Sequence, residues 1–208
     1  MKQIIIILSM FIAGQLTAQT RYEAGMQKGL EQFGAAKTAE DMAAASAFFE
    51  RIADAEKDKW LPYYYAAYAN HLTGWMNPKA DKDKVAEKSK DLLSKAEALE
   101  RNADTYCMRQ MIAIQQMNVD PMARWQTYGT EASNALAEAK KIDANNPRIY
   151  LLDGQTLMYT PEAFGGGKAV AKKLFEKSIQ LFETYKPQSA MHPNWGKDQA
   201  AKLLAACQ

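Results

Sequence analysis

The amino-acid sequence predicts an all-α fold built from stacked helical hairpins. Ala, Lys, Glu, Gln, Leu and Met are frequent, and no long alternating run of Val, Ile or Thr predicts a strand. A pattern of compact and large apolar residues also recurs at near-regular spacing along the chain. Because one hairpin cannot bury its apolar face alone, this period indicates an α-solenoid of about four hairpins.

Helical periodicity and helix-breaking residues together predict nine helices after the N-terminal segment. Breakers such as Asn77-Pro78, Asp120-Pro121 and Asn145-Asn146-Pro147 separate them. The predicted helices are Tyr22–Phe33, Ala39–Glu56, Leu61–Trp75, Asp83–Arg101, Thr105–Met117, Pro121–Ile142, Pro147–Tyr159, Lys168–Tyr185 and Asn194–Ala206. The last of these is short, and we expect it to cap the open end of the solenoid.

The repeat consists of a small residue, a large apolar residue four positions later, and a compact or apolar residue three positions after that. Its copies start 44, 43 and 39 residues apart, and they are Ala45/Phe49/Ile52, Ser89/Leu93/Ala96, Ala132/Leu136/Ala139 and Ala171/Phe175/Ser178. These positions resemble the second helix of the tetratricopeptide repeat. The period exceeds the 34 residues of that family, and its first-helix Trp, Leu, Gly and Tyr signature is mostly lost. The resemblance implies a concave surface lined largely by the first helices of the hairpins.

The N-terminal segment has the layout of a secretory signal peptide. A single charge at Lys2 precedes an apolar run from Ile4 to Ala13, and Leu16-Thr17-Ala18 ends the segment with small residues. Cleavage after Ala18 is predicted, which leaves residues 19–208 as one helical domain. The apolar run is short for a bilayer-spanning helix, which needs about 20 residues. We therefore expect an exported, periplasmic protein without stable membrane insertion after cleavage.

The balance of charges argues against one class of function, and the chain has two cysteines. The chain has 26 basic and 24 acidic side chains, and such balance argues against a nucleic-acid-binding protein, which neutralises phosphates with clustered Lys and Arg. Cys107 and Cys207 are the only cysteines. Cys107 lies in an apolar helical stretch, where a free cysteine behaves as a small hydrophobic residue. The sequence leaves open whether the two are bridged.

The stretch PEAFGGGKAVAKKLFEKS, residues 161–178, superficially resembles a phosphate-binding loop. A G-x-x-x-x-G-K-[ST] motif aligned on Gly167-Lys168 requires glycine at Glu162 and a hydroxyl group at Ala169, and both positions fail. The motif also needs a preceding strand, whereas residues 150–159 are predicted to be helical. We therefore predict that the glycines form a turn between two helices and that the chain needs no cofactor.

The same stretch carries a second family resemblance. YTPEAFGGGKAVAKKLFEKSIQLFE is similar to a segment of exported repeat proteins related to the periplasmic T component of TRAP-type transporters. Together with KPQSAMHPNWGKDQA it is also similar to small exported proteins of Bacteroidetes-type bacteria. The resemblance covers about the last third of the chain and implies an exported repeat scaffold.

The segment WLPYYYAAYANHLTGW, residues 60–75, contains the densest set of chemically distinctive side chains. At 100° per residue its aromatic side chains spread over more than one helix face, so we expect some to be core and others to face the groove. Tyrosine and tryptophan combine apolar area with a hydrogen-bonding tip, which suits ligand contact. The candidate binding residues are Trp60, Tyr64, Tyr68, His71 and Trp75.

No catalytic or metal-binding constellation stands out. His71 has Gly74 and Trp75 at the positions where a helical metal site would place a second ligand, and His192 has no acidic neighbour before Asp198. The sequence therefore predicts a non-enzymatic protein that recognises a protein or peptide partner in the concave groove. The alternative is a transporter-associated protein that binds a small molecule, an organic acid or a lipid, in a pocket walled by the same aromatic residues.

Overall fold

The computed structural model describes residues 21–208, and the predicted signal peptide lies outside this range. Ten α-helices follow one another in the described chain, and none of its residues forms a strand. Helix α1 covers residues 21–35. The others are α2 (Ala39–Ala55), α3 (Trp60–Met76), α4 (Lys82–Leu99), α5 (Ala103–Met117), α6 (Pro121–Arg124), α7 (Thr130–Ile142), α8 (Pro147–Met158), α9 (Lys168–Thr184) and α10 (Lys197–Ala205). The predicted all-α fold is confirmed, and no described helix is long and apolar enough to cross a membrane.

Local capping explains where several helices begin. Thr38 and Asp41 form a reciprocal capping box at the start of α2, and Asn102 and Thr105 form another at the start of α5. Such boxes satisfy backbone N–H groups that have no partner within the helix. The Asp81 side chain accepts a hydrogen bond from the backbone N–H of Lys84 at α4. Most observed boundaries therefore lie within one or two residues of the predicted ones.

The four repeat copies lie on the second helices of four consecutive hairpins, on α2, α4, α7 and α9. Their first and second positions are all buried. In the first and last hairpins the large residue packs on a glycine of the preceding helix. A Cβ atom at Gly29 would lie 2.6 Å from the Phe49 ring, and one at Gly154 would lie 2.7 Å from the Phe175 ring. The predicted repeat is thus a packing repeat, and in these two hairpins a close helix approach at glycine accommodates the large side chain.

The third hairpin departs from the prediction of one continuous helix over Pro121–Ile142. A π-helical turn, Trp125–Gly129, separates α6 from α7. Arg124 is held at this point by both carboxylate oxygens of Asp83, at 2.6 and 2.9 Å, and by the Gln116 carbonyl. The π-helical turn therefore begins directly after a residue that is fixed by contacts with α4 and α5.

The glycine stretch forms a turn, as predicted. Gly165 and Gly167 have φ of +81° and +101°, a backbone region that side-chain-bearing residues rarely adopt. The N–H of Gly167 donates to the Leu157 carbonyl at 2.8 Å and ties the turn to the end of α8. A helix, not a strand, precedes the turn, so the architecture of a phosphate-binding loop is absent from this part of the described chain.

The C-terminal part of the chain is joined to the rest through the buried guanidinium of Arg148. Its side chain is fully buried and its Nε donates to Asp104 Oδ1 at 2.7 Å. Burial opposes the charged form most strongly, but the charge and hydrogen bond of Asp104, together with Tyr64 and Tyr185, outweigh it and keep the pKa of Arg148 above its ordinary value. Arg148 also donates to the Tyr185 hydroxyl at 2.5 Å and to the Trp195 carbonyl. One side chain on α8 therefore links α5, the end of α9 and the segment before α10.

Removing the charge of Asp104 should destabilise the fold strongly, because it leaves Arg148 charged and buried without its partner. We expect Asp104→Asn to lower the free energy of unfolding by about 3–5 kcal/mol, measured by urea denaturation. The matched control is Glu183→Gln, which removes an exposed ion pair with Lys197 and should cost less than about 1 kcal/mol. A small effect of Asp104→Asn, similar to that of the control, would contradict this role of the pair.

Candidate ligand-binding groove

A groove of about 720 Å³ opens on the side of the solenoid formed by the first helices of the hairpins. Helices α3, α5 and α8 supply most of its walls. The lining residues are Tyr68, His71, Leu72, Trp75, Gln110, Met111, Ile114, Met117, Asn118, Pro121, Leu152, Gln155, Thr156, Tyr159, Thr160 and Gln199. The volume lies within the range of about 300–1,000 Å³ that is typical of small-molecule sites.

Three of the five predicted binding residues lie together in this groove. Tyr68, His71 and Trp75 follow one another along a single face of α3 and line one wall. Tyr68 and His71 are buried, whereas Trp75 is 45% exposed. Trp75 therefore presents a large apolar surface at the opening, where a ligand could cover it.

Trp60 and Tyr64 occupy the same face of α3 but lie outside the groove. Trp195, from the segment before α10, donates from Nε1 to the Tyr64 hydroxyl at 2.9 Å. The His192 ring lies 5.8 Å from the Trp60 ring, centroid to centroid. Both α3 residues are buried by this cover, Tyr64 completely. The structure places them in the core, and the cover comes from a part of the chain 131 residues away from Tyr64.

His71 holds the Trp75 side chain in place. Trp75 Nε1 donates to His71 Nε2 at 3.1 Å, and the Nδ1 atom of His71 has no hydrogen-bond partner in the described structure. Burial lowers the pKa of His71 to about 4, although the neighbouring Gln115 side chain opposes the shift. The imidazole is therefore neutral at pH 7, and its Nε2 atom already accepts a hydrogen bond from the indole.

The rest of the groove is apolar with scattered neutral polar groups. Met111 and Ile114 on α5 and Leu152 on α8 supply aliphatic surface, and Tyr159 stands 77% exposed at the end of α8. None of the described lining residues is Lys, Arg, Asp or Glu. Burial raises the pKa of the Tyr68 hydroxyl, with Arg148 opposing the shift, so this group is also neutral at pH 7.

The sequence analysis did not find the residues on α5 and α8. Met111, Ile114 and Asn118 repeat at i, i+3 and i+7, and Leu152, Gln155 and Tyr159 do the same on the next first helix. These stripes were detectable by the criterion applied to α3. They lack its aromatic density, so nothing in the sequence distinguished a groove wall from ordinary core.

A second, smaller cavity of about 260 Å³ lies behind the groove, between α7, α8 and α9. Gln110 and Thr156 line both spaces. Gln110 Nε2 donates to Thr156 Oγ1 at 3.1 Å, and Thr156 donates in turn to the Leu152 carbonyl at 3.0 Å. This hydrogen-bonded pair forms the floor of the groove.

The arrangement favours ligand binding over chemistry. In residues 21–208, no three His, Cys, Asp or Glu side chains come together in a way that could hold a metal ion. Cys107 is buried and Cys207 half-buried, and both are free. Burial raises the pKa of the Cys107 thiol, which makes it a poor nucleophile. What the groove offers is a wide apolar surface with a rigidly held indole at its mouth.

The fold and the groove together define a helical binding protein. The structure is similar to that of the HusA haemophore from Porphyromonas gingivalis, a bacterium of the Bacteroidetes group, with a TM-score of 0.82 and 37% sequence identity over 90% of this chain and 92% of that chain. The chain belongs to the family of this haemophore. No protein-family model and no curated protein sequence matches the chain. The comparisons give no support to a relationship with tetratricopeptide proteins or TRAP transporter components.

The buried, neutral state of His71 predicts a pH-dependent stability. A histidine has a pKa of about 6.5 in the unfolded chain, so between pH 6.5 and 4 the unfolded state binds more protons than the folded state. The free energy of unfolding should therefore fall as the pH drops through this range, by up to about 3 kcal/mol. His71→Gln should remove this part of the pH dependence in urea denaturation series.

The second histidine provides the control for this measurement. Burial also lowers the pKa of His192, so the wild-type curve contains contributions from both residues. His192→Gln should leave the contribution of His71 in place. Identical pH profiles for the wild type and His71→Gln would show that His71 is not a buried neutral imidazole in solution.

Proposed function

We propose that the chain binds haem in the groove and acts as a haemophore. The observation that carries the proposal is the aromatic and methionine-lined groove in a chain 37% identical to the HusA haemophore. A haemophore is by its name a carrier of a small molecule. The small-molecule alternative predicted from the sequence is therefore better supported than the protein or peptide partner that the sequence analysis ranked first.

The chemistry of the groove suits the porphyrin ring. Haem is flat and largely apolar, and aromatic side chains stack on such rings or meet them edge to face. Trp75 and Tyr159 project at the opening of the groove, and their exposed surface would be removed from water by a bound ring. Each Å² of apolar surface so buried contributes about 25 cal/mol. Met111 and Met117 add flexible, polarisable contacts that adapt to a ligand surface.

His71 contributes to this site by positioning the indole of Trp75. Its Nε2 accepts the hydrogen bond from Trp75 Nε1, so the indole plane is fixed before a ligand arrives. Holding a contact group in its bound orientation lowers the entropic cost of binding. His71 thus acts through Trp75 rather than as a direct contact.

Titration with haem tests the proposed function. We expect saturable binding, followed by the Soret absorbance and by quenching of tryptophan fluorescence. Trp75→Ala and Tyr159→Ala should each weaken binding about tenfold or more, because truncation of a central aromatic contact costs roughly 1–4 kcal/mol. Affinity for haem should be measured alongside the thermal unfolding midpoint of each variant.

The chain offers two matched controls for these variants. Trp125 and Phe164 are 56% and 80% exposed and do not line the groove. Trp125→Ala and Phe164→Ala should leave haem affinity unchanged. An absence of saturable binding, or equal losses in the control and groove variants, would rule out haem binding at this groove.

Export forms part of the same proposal, because a haem carrier acts on haem outside the cytoplasm. Expression of the full chain in a bacterial host should yield a secreted or periplasmic form that begins at Gln19. The intact mass of this form measures the cleavage site. Recovery of the uncleaved chain alone, in the cytoplasm, would contradict the predicted signal peptide.

A further inference from the structure

No described side chain that lines the groove is Lys, Arg, Asp or Glu, although the proposed ligand carries two negative charges. Haem has an apolar ring system and two propionate groups that are ionised at neutral pH. A carboxylate costs several kcal/mol when it leaves water without a partner. The propionates must therefore reach either bulk solvent or a cation at the rim, and the charges around the opening determine which of these occurs.

Lys82, in the first turn of α4, lies beside Trp75, the half-exposed indole that lines the groove. Its Nζ lies 5.3 Å from the centroid of the Trp75 ring, within the range of a cation–π contact. Lys82 forms no ion pair with the described residues, and its side chain is half-buried. Its positive charge is thus held beside a groove residue and has no carboxylate to neutralise it.

Two cations of the same region, Arg124 and Lys84, already have carboxylate partners. Arg124 makes two hydrogen bonds with the carboxylate of Asp83. Lys84 points to Asp81 at 3.8 Å, and its side chain is 82% exposed. Among Lys82, Lys84 and Arg124, only Lys82 has no carboxylate partner in the described structure, so its charge remains available to a ligand. Its four-carbon stem is flexible enough to turn from the indole face toward a carboxylate.

We infer that Lys82 binds a carboxylate of the ligand in the groove and makes the site selective for planar carboxylic acids over their neutral esters. The inference rests on the proposed function. It adds recognition of the ligand's carboxylate to recognition of its flat ring. Trp75 and Lys82 then act as a pair, in which the indole contacts the ring and the ammonium contacts the carboxylate beside it. A charge-assisted contact of this kind also gives binding a dependence on ionic strength.

Comparison of haem with haem dimethyl ester tests the inference, since the ester keeps the ring and iron and removes both charges. Lys82→Met should weaken haem binding about 3- to 10-fold and change ester binding less than 2-fold. Lys82→Arg, which keeps the charge, should restore most of the haem affinity. Lys84→Met is the matched control and should bind both compounds like the wild type.

The outcomes separate this inference from the proposed function. Equal affinity of the wild type and Lys82→Met for haem would overturn the carboxylate role while leaving haem binding intact. Equal losses for haem and its ester would also overturn it, because they would indicate damage to the Trp75 contact instead. A wild-type protein that binds neither compound would overturn the proposed function and this inference together.

Discussion

The buried ion pair between Arg148 and Asp104 is the interaction on which the arrangement of the C-terminal half depends. A guanidinium without solvent contact is tolerated only when its charge is paired and its remaining donors are satisfied. Here Asp104 provides the charge, and the Tyr185 hydroxyl and the Trp195 carbonyl accept further hydrogen bonds. The guanidinium also lies 4.6 Å from the Tyr185 ring centroid and 5.5 Å from that of Trp195. These partners come from three segments outside α8, so satisfying this one side chain brings four segments of the chain together.

The position of Trp195 follows from this network and determines where the groove ends. With its carbonyl bound to Arg148, the residue directs its indole toward α3, where Nε1 reaches Tyr64 and the ring lies 5.3 Å from that of Tyr68. The N-terminal half of the aromatic face of α3 is thereby covered. The C-terminal half, with His71 and Trp75, stays open to the groove. Tyr68 lies at the boundary, in contact with Trp195 and in the groove wall, so the network and the proposed ligand share one side chain.

Sequence reasoning predicted the features that depend on neighbouring residues and missed those that depend on contacts between distant residues. Helix positions and the turn at Gly165–Gly167 follow from periodicity, capping residues and backbone preference, which act over a few residues. The interruption at Trp125–Gly129 was not predicted. It follows Arg124, whose partner Asp83 lies 41 residues earlier in the chain, and a contact at this distance leaves no local sequence pattern. The last helix begins at Lys197 instead of the predicted Asn194, since Trp195 turns inward to the core and Gly196 adopts φ of +111°.

The sequence by itself determined that this protein is helical, that its hairpins repeat with a small residue packed beside a large one, and that α3 is the helix richest in aromatic side chains. These properties are encoded in the spacing of residues along single helices. Only the tertiary structure decided which of those aromatic residues line the groove, because helical spacing places all five candidates on one face without distinction. The five are Trp60, Tyr64, Tyr68, His71 and Trp75. The segment before α10 covers Trp60 and Tyr64 and leaves the other three open to the groove. The position of this segment depends on the buried guanidinium of Arg148, whose partners come from distant parts of the chain.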